Sequence, residues 1–596
     1  MTRSAAPAIT NSYTLSSSTH QAPNVSLVTG IRRLLPVMEG EQSIVIQALA
    51  AVIITSVSGL LGPFIIRRTV DTYIQNRDFT GVLWSALALL GIYLCGLFSS
   101  YFQTQRMGMV GRRVLFNLRN TLFTKLQSLP VAFFNQNKTG DLISRINNDT
   151  DKLNQFFSQA LVQFASNSFM MAGAGIFMLW QQPQMGAAAL FPALGVLLVT
   201  QLISPWVKRK NVKNLQTVGG MSAEIQESLN NFKVIVAFNR TDYFREKFKQ
   251  ANEKNFVSGL ESGMASNIFM PIYGLSHNIA QILVLAYGVY LIEAGGMTVG
   301  MLIAFLLYVN SFYMPLRQLA AMWAQLQLAL AAVDRISEVL ALEPNMPVVP
   351  APQTNSKDEV LTFQHVNFGY REGQNILKET NFALQRGKTY ALVGPTGGGK
   401  TTTASLMARL YDPVSGTVLL DGRDIRSYSA EERTAKIGFI LQDPFLFTGT
   451  VRDNIVYGND RYREYSSEQV TRVLRENNFG ELLNRFEQGL DTRVTSSGDS
   501  ISLGQKQLIA FMRAALRNPE ILILDEATAN IDTITEQLLQ EILDKLPKST
   551  TKVIIAHRLN TIANADEIFF VNAAEITAAG SMEHAVDMLL RGKRES

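Results

Sequence analysis

The chain has 596 residues and a mass of 66.0 kDa, too long for one ordinary core and enough for two or three domains. Apolar residues make up 47% and charged residues only 17%, against about 25% in ordinary soluble proteins, so part of the chain is expected to face something other than water. The formal charge of +5 comes without a Lys/Arg block of the kind that binds nucleic acid, and a single cysteine, Cys95, excludes a disulfide framework and argues against a metal cluster.

Residues 1–30 are rich in Ser, Thr and Asn, hold one arginine and contain no long apolar run. That pattern reads as a flexible cytoplasmic tail without a secretory signal, either an inert extension or a short regulatory or partner contact. Six apolar segments follow, near 42–66, 79–103, 156–181, 185–207, 266–292 and 297–325. Each supplies the ~20 residues a helix needs to cross hydrocarbon. Segments 3 and 4 are joined by little more than "QQPQ", and 5 and 6 by "EAGGMT". Residues 104–155 and 208–265 are long and polar instead, with eight and ten Lys/Arg. Long basic connections belong in the cytoplasm, which puts both termini inside; Arg67, Arg68 and Arg77 in the first outer connection weaken the rule without reversing it. The long connections read as helical arms. In the first, a transverse helix near 130–139 is followed by a break at Thr139-Gly140; in the second, a break is expected at Gly219-Gly220.

Ionisable groups are sparse in the spans. Glu293 falls at an outer edge, Arg317 can snorkel from the last span to the inner interface, and His277 is the one histidine within a span. No carboxylate lies deep, which favours an apolar or amphiphilic cargo over a proton or metal ion. Asn167, Asn267, Asn278, Asn310 and Gln318 either line a cavity or bond neighbouring helices, and His277 is read mainly as a packed, hydrogen-bonded residue.

A polar linker, 341–358, leads to a change of composition. From 359 to 596 the chain reads as a soluble α/β domain. "EVLTFQHVNFGY" and "NFALQRGKTYALVG" are strand-like and run into "GPTGGGKTT", residues Gly394, Pro395, Thr396, Gly397, Gly398, Gly399, Lys400, Thr401 and Thr402. Glycines there let backbone N–H groups approach phosphates, the helix start favours negative charge, Lys400 reaches the β- and γ-phosphates and Thr401 ligates Mg2+. "ILILDE" is an apolar central strand ending in Asp525, a Mg2+ ligand, and Glu526, placed to polarise the attacking water. Gln442 follows the strand "IGFI" and is read as a sensor of Mg2+ or water; His557 follows "TKVIIAH" and is read as a γ-phosphate contact. Tyr370 is the candidate base-stacking platform.

This order of elements resembles the ATP-binding cassette exporters with six-helix half-transporters, over residues 31–596. "LPVAFFNQNKTGDLISRINNDTDKL" looks like their first cytoplasmic arm and coupling helix. Tyr370 matches the A-loop, Gly394–Thr401 Walker A, Gln442 the Q-loop, Ile521–Asp525 Walker B, Glu526 the catalytic glutamate, Ala529–Asp532 the D-loop and His557 the switch histidine. The resemblance implies a multidomain protein, a six-helix all-α transmembrane domain (31–340) followed by a P-loop α/β nucleotide-binding domain (359–596). It also implies ATP and Mg2+ as cofactors and a head-to-tail dimer in which each ATP lies between one Walker A and the other chain's signature loop. Here that loop departs from Leu-Ser-Gly-Gly-Gln. Ile501, Ser502, Leu503, Gly504 and Gln505 hold the five places, so Ser502, Gly504 and Gln505 remain while a leucine replaces a glycine and can crowd the nucleotide. The preceding Val494-Thr495-Ser496-Ser497-Gly498 lacks the family's glutamate. A complete Walker face beside an irregular signature face favours a heterodimer over a homodimer. The expected activity is ATP-driven efflux of a hydrophobic small molecule or lipid across the cell membrane; the alternatives are a lipid or lipid-linked flippase, an importer on the exporter fold, and a non-transporting ATP-binding regulator.

Overall fold

The structure, a computed structural model, describes residues 13–15, 40–344, 346–350, 358–371, 373–495, 501–525, 533–555, 564–580 and 582–591. These fall into two compact units. One gathers the described parts of Met1–Leu15, Leu126–Thr139 and Ala341–Ser596, the other those of Ser16–Lys125 and Gly140–Leu340.

The second unit is helical. Among the described residues six helices are long and apolar enough to cross a membrane, beginning with α1 (Gln42–Ile74), α2 (Phe79–Ser128), α4 (Thr139–Gln181) and α5 (Pro183–Asn230); the short helix α3 (Val131–Gln136), between α2 and α4 in sequence, belongs to the other unit. A second short helix, α6 (Phe232–Ala237), precedes α7 (Thr241–Glu293) and α8 (Val299–Leu340). Their outer surfaces are apolar, as lipid demands: Leu83, Trp84, Leu97 and Phe98 of α2 are each more than half exposed. Their core is built by Leu60, Ala174, Met178, Met185, Val284 and Phe305. Hydroxyls inside it find backbone carbonyls on neighbouring helices. Tyr308 donates to Leu60 O and Tyr313 to Ala189 O, both at 2.9 Å, and Ser276 donates to Pro192 O at 3.0 Å. Without those acceptors each hydroxyl would be stranded in a medium that offers none.

The first arm breaks two residues before the expected Thr139-Gly140, which are already helical. Asn137 leaves α3 in an extended conformation and the next helix begins at Thr139. The second arm corrects the expectation. Helix α5 runs unbroken through Gly219-Gly220, and the turn comes at Asn231 (φ −103°, ψ 15°). Two glycines cost a helix about 2 kcal/mol relative to alanine. A ladder of side-chain bonds to α7 outweighs them, with Lys210 to Glu261 at 2.9 Å and Asn211 to Ser266 at 3.2 Å.

Buried charge fixes the first arm. Arg145 is 1% exposed; its Nε meets Asp141 at 3.0 Å and its Nη1 meets Glu338 and the Arg335 carbonyl, both at 2.7 Å. Arg335 itself meets Asp141 at 2.9 Å and the buried Asp149 at 3.1 Å. The cluster ties the start of α4 to the end of α8. Two π-helical turns, Arg145–Asp149 and Phe156–Ala160, interrupt α4 here and rotate its faces.

The other unit holds two main sheets. Antiparallel strands in the order β2 (Leu377–Gln385), β1 (Glu359–Phe368), β4 (Ser415–Leu420) and β5 (Arg423–Asp424) form one. The other runs β12 (Glu575–Ala578), β11 (Glu567–Asn572), β3 (Thr389–Val393), β10 (Thr551–Ile555), β9 (Ile521–Asp525) and β6 (Ile437–Ile440). From β11 to β6 it is parallel. The short β7 (Gly449–Thr450) and β8 (Arg493–Val494) pair apart. The linker is fastened to this unit: buried Arg409 donates to Pro347 O at 2.8 Å while paired with Asp412 at 2.9 Å, and Val349 N–H donates to Arg426 O at 3.1 Å.

Candidate nucleotide site

Parallel strands bring their carboxyl ends to one edge, and there the chemistry gathers. Ile555 pairs with both Leu392 and Asp525, so the ends of β3, β10 and β9 are level. Residues 394–399 leave β3 and turn into helix α9 (Lys400–Met407). Gly394 and Gly399 need to be glycines. A Cβ at Gly394 would overlap the Val571 carbonyl oxygen, and Gly399 caps α9 at φ 109°, a left-handed conformation. Pro395, Thr396 and Gly397 form the exposed crown of the loop, closed by a bond from Gly398 N–H to Pro395 O at 3.1 Å.

Lys400 is 5% exposed, and its Nζ donates to Gly394 O at 2.9 Å and Pro395 O at 3.0 Å, which holds the ammonium inside the loop's curve. Thr401 Oγ1 donates to Asp525 Oδ1 at 3.1 Å, and Asp525 is 2% exposed. Two hard oxygen donors this close beside a phosphate loop fit Mg2+, which takes oxygen ligands and retains waters for the rest of its shell. Gln442 lies two residues beyond β6 and is exposed. Glu526, Ala529–Asp532 and His557 lie outside the described residues.

Tyr370 stands in an aromatic cluster. Its ring meets Phe368 and Tyr411 edge-on, each at 5.1 Å, and its hydroxyl bonds Thr402 Oγ1 at 3.2 Å. Burial pushes its phenol up, so it stays neutral at physiological pH. The sequence reading missed Tyr411. The only signal was an aromatic residue just past the end of the phosphate-loop helix, flanked by Arg409 and Asp412.

At the signature loop, Ser502 caps helix α10 (Leu503–Ala515) in a reciprocal box: Gln505 N–H donates to Ser502 Oγ at 3.2 Å and Ser502 N–H to Gln505 Oε1 at 2.9 Å. Gln505 Nε2 also donates to Arg485 O at 2.6 Å. Leu503 is the first residue of the helix, so the backbone there requires no glycine; what leucine adds is bulk at the side of Gly504. Val494 is buried at the end of β8, and Ser496–Gly498 lie outside the described residues.

In the membrane half, Asn167 Nδ2 donates to Met322 Sδ at 3.9 Å, an interhelical contact between α4 and α8. Asn267, Asn278, Asn310 and Gln318 are exposed on the helices. His277 is packed against Tyr313, with ring centroids 5.9 Å apart, but its buried Nδ1 has no hydrogen-bond partner. The hydrogen-bonded reading of His277 is corrected in that respect: its packing is met and its polarity is not.

Comparison with known proteins fits both units. Residues 45–316 match the family described as ABC transporter transmembrane region, and residues 377–529 the family described as ABC transporter. The chain is 34% identical over 565 residues to the uncharacterized ABC transporter ATP-binding protein YfiC of Bacillus subtilis, covering 93% of this chain and 92% of that one. It is 33% identical over 518 residues to the fatty acid ABC transporter ATP-binding/permease protein of Mycobacterium bovis, covering 87% and 81%. A bacterial Atm1-family ABC exporter solved with ATP bound superposes with a TM-score of 0.77 at 26% identity, over 93% of this chain and 99% of that one. With six apolar helices, a phosphate loop and a level-ended parallel sheet in one polypeptide, the chain belongs to the ABC transporters, as an exporter half-transporter that couples ATP hydrolysis to transport.

Proposed function

We propose that this chain drives hydrophobic or amphiphilic compounds out across the cytoplasmic membrane, with both termini in the cytoplasm. The supporting observation is the meeting of Lys400, Thr401 and Asp525 at one sheet edge in a chain that also carries six apolar helices with few ionisable groups. Lys400 binds the β- and γ-phosphates, and Tyr370 stacks on the base. Thr401, Asp525 and Gln442 hold Mg2+, which when bound supplies charge neutralisation at the phosphates. Glu526 polarises the attacking water and His557 contacts the γ-phosphate. The cargo is amphiphilic rather than ionic, a reading that the fatty-acid function named for the M. bovis relative also favours. A lipid flippase would share this machinery and differ in being stimulated by lipids but not by drugs.

The working unit contains a second half-transporter, and a different chain is favoured. Residues 394–402 and Asp525 of this chain form a full Walker face, whereas Ser502, Gly504 and Gln505, offered to the partner's nucleotide, carry Leu503 among them. In a homodimer both sites would suffer that bulk; in a heterodimer one would. The test is to express the chain alone and together with the product of a neighbouring reading frame, then measure mass and ATPase in detergent. The heterodimer reading expects full activity only from the mixed complex, and there Glu526→Gln retains ATP and stops turnover. Full activity from a complex of identical chains overturns the heterodimer, and wild-type turnover by Glu526→Gln overturns the assignment of the base. An ATPase without ATP-dependent uptake into inverted vesicles would favour a non-transporting regulator, and uptake into intact cells an importer.

A further inference from the structure

Three residues of the N-terminal tail are built into the molecule. Tyr13 is 4% exposed and Leu15 8%, while Thr14 between them faces outward. This is the alternation of an extended strand, in which successive side chains point to opposite sides. What receives the Tyr13 ring and the backbone of this segment is α3 and the residue that ends it. Tyr13 N–H donates to Gln136 Oε1 at 2.6 Å. The Asn137 side chain then reads the backbone on either side of Thr14: its Nδ2 donates to Tyr13 O at 2.8 Å and its Oδ1 accepts from Leu15 N–H at 3.0 Å. A neighbouring parallel strand bonds the residues flanking its partner in the same pattern, so one amide side chain stands in for a strand edge. The Tyr13 ring meets Phe133 edge-on at 6.4 Å, and its hydroxyl donates to Glu343 O at 3.4 Å. The contact therefore reads both sequence (an aromatic, a free position, an aliphatic) and backbone. A greasy tail settling on a greasy surface would show no such register.

The helix that holds the tail also touches the base platform. Asn135 Nδ2 donates to Tyr411 OH at 2.7 Å, and Tyr411 packs on Tyr370. Tail, α3 and nucleotide platform thus form one continuous chain of contacts within a single unit.

We propose that Tyr13–Thr14–Leu15 is a cis-acting clip: it seats α3 so that Asn135 and Tyr411 hold Tyr370 in its base-stacking position, and it tunes the affinity for ATP. The chain's own tail is the occupant, held by the Tyr13 ring and by the Tyr13 and Leu15 backbone. An element that favours one arrangement shifts ATP binding only through its differential contacts with that arrangement, here the bonds at Gln136 and Asn137.

The test uses the purified transporter in the assembly that cells produce, with deuterium exchange and fluorescent MANT-ATP binding as readouts, neither of which requires turnover or a known cargo. Removing residues 1–15, or combining Tyr13→Ala with Leu15→Ala, should speed exchange over residues 131–139 and weaken MANT-ATP binding at least threefold. Adding the synthetic peptide NSYTLSS (residues 11–17) should restore both, and the same peptide with alanine in place of tyrosine should not. Asn135→Ala should weaken nucleotide binding while leaving exchange at Tyr13 and Leu15 slow. The clip is overturned if exchange over 131–139 is unchanged by truncation, or if exchange rises and MANT-ATP affinity stays the same. Loss that the peptide fails to repair would also overturn it, since it would assign the tail a role in folding alone. The transport reading is untouched by any of these outcomes.

Discussion

The two short helices α3 and α6 have the same length and follow the first and second arms at corresponding places in the sequence, yet they end in opposite circumstances. In α3, Phe133 is fully buried and Ala132 nearly so, covered by residues of this chain that include Tyr13. In α6, only Ile235 is buried; Phe232, Val234 and Val236 are each more than half exposed, and Phe238 beyond them is 76% exposed. Leaving four large apolar side chains in water forgoes on the order of 5 kcal/mol of burial. The polypeptide supplies a partner for its first arm and none, among the described residues, for its second. That exposed apolar surface accords with the proposed second half-transporter, which would cover it.

That contrast can be broken from its self-sufficient side first. Lys400→Ala should reduce ATPase by about 100-fold or more while the protein still inserts and folds, because it removes the cation at the phosphates and little packing; steady-state ATPase of the purified complex checks it. Arg145→Ala should come next, lowering stability by about 1–3 kcal/mol, since Glu338 would lose its cation and the Arg335 carbonyl its donor, while the half-exposed Asp141 keeps Arg335. A fall in melting temperature in detergent, with a Met replacement recovering part of it, is the outcome to look for. On the partner-demanding side, Val236→Asp should leave the isolated chain's stability within about 0.5 kcal/mol, as an exposed site allows. The same change should weaken assembly by about tenfold in native mass measurements, through a charge buried at the interface. Unchanged assembly would remove α6 from the dimer surface. Smallest of all, Tyr411→Phe should raise the ATP concentration needed for half-maximal activity about twofold to threefold, as one solvent-exposed hydrogen bond of about 0.5 kcal/mol is lost.

How far these features were legible follows from how local each one is. The phosphate loop, the strands "ILILD" and "TKVII" and, to within two residues, the first-arm break need only a few neighbouring residues to declare themselves, and the fold and family expectations were met. Gly219-Gly220 was misread because propensity argues for a break there and the opposing bonds from α7 are some 40–50 residues away in sequence. Arg145 carries no local sign of its role; only α8, nearly 200 residues on, makes it a buried hub. Tyr411 and Tyr13 were illegible for the same reason, since an aromatic side chain does not announce which helix it will touch. Leu503 was legible as an irregularity, but only the helical backbone at that position separates a question of bulk from one of conformation.

The Arg409–Asp412 pair has a mechanical corollary. Because it pins the Pro347 carbonyl, and Val349 is pinned beside it, the segment that follows α8 is anchored to the sheet-bearing unit at Pro347 and Val349. Spacer residues inserted between Ala341 and Pro347 would therefore lengthen the run after α8 without loosening either anchor.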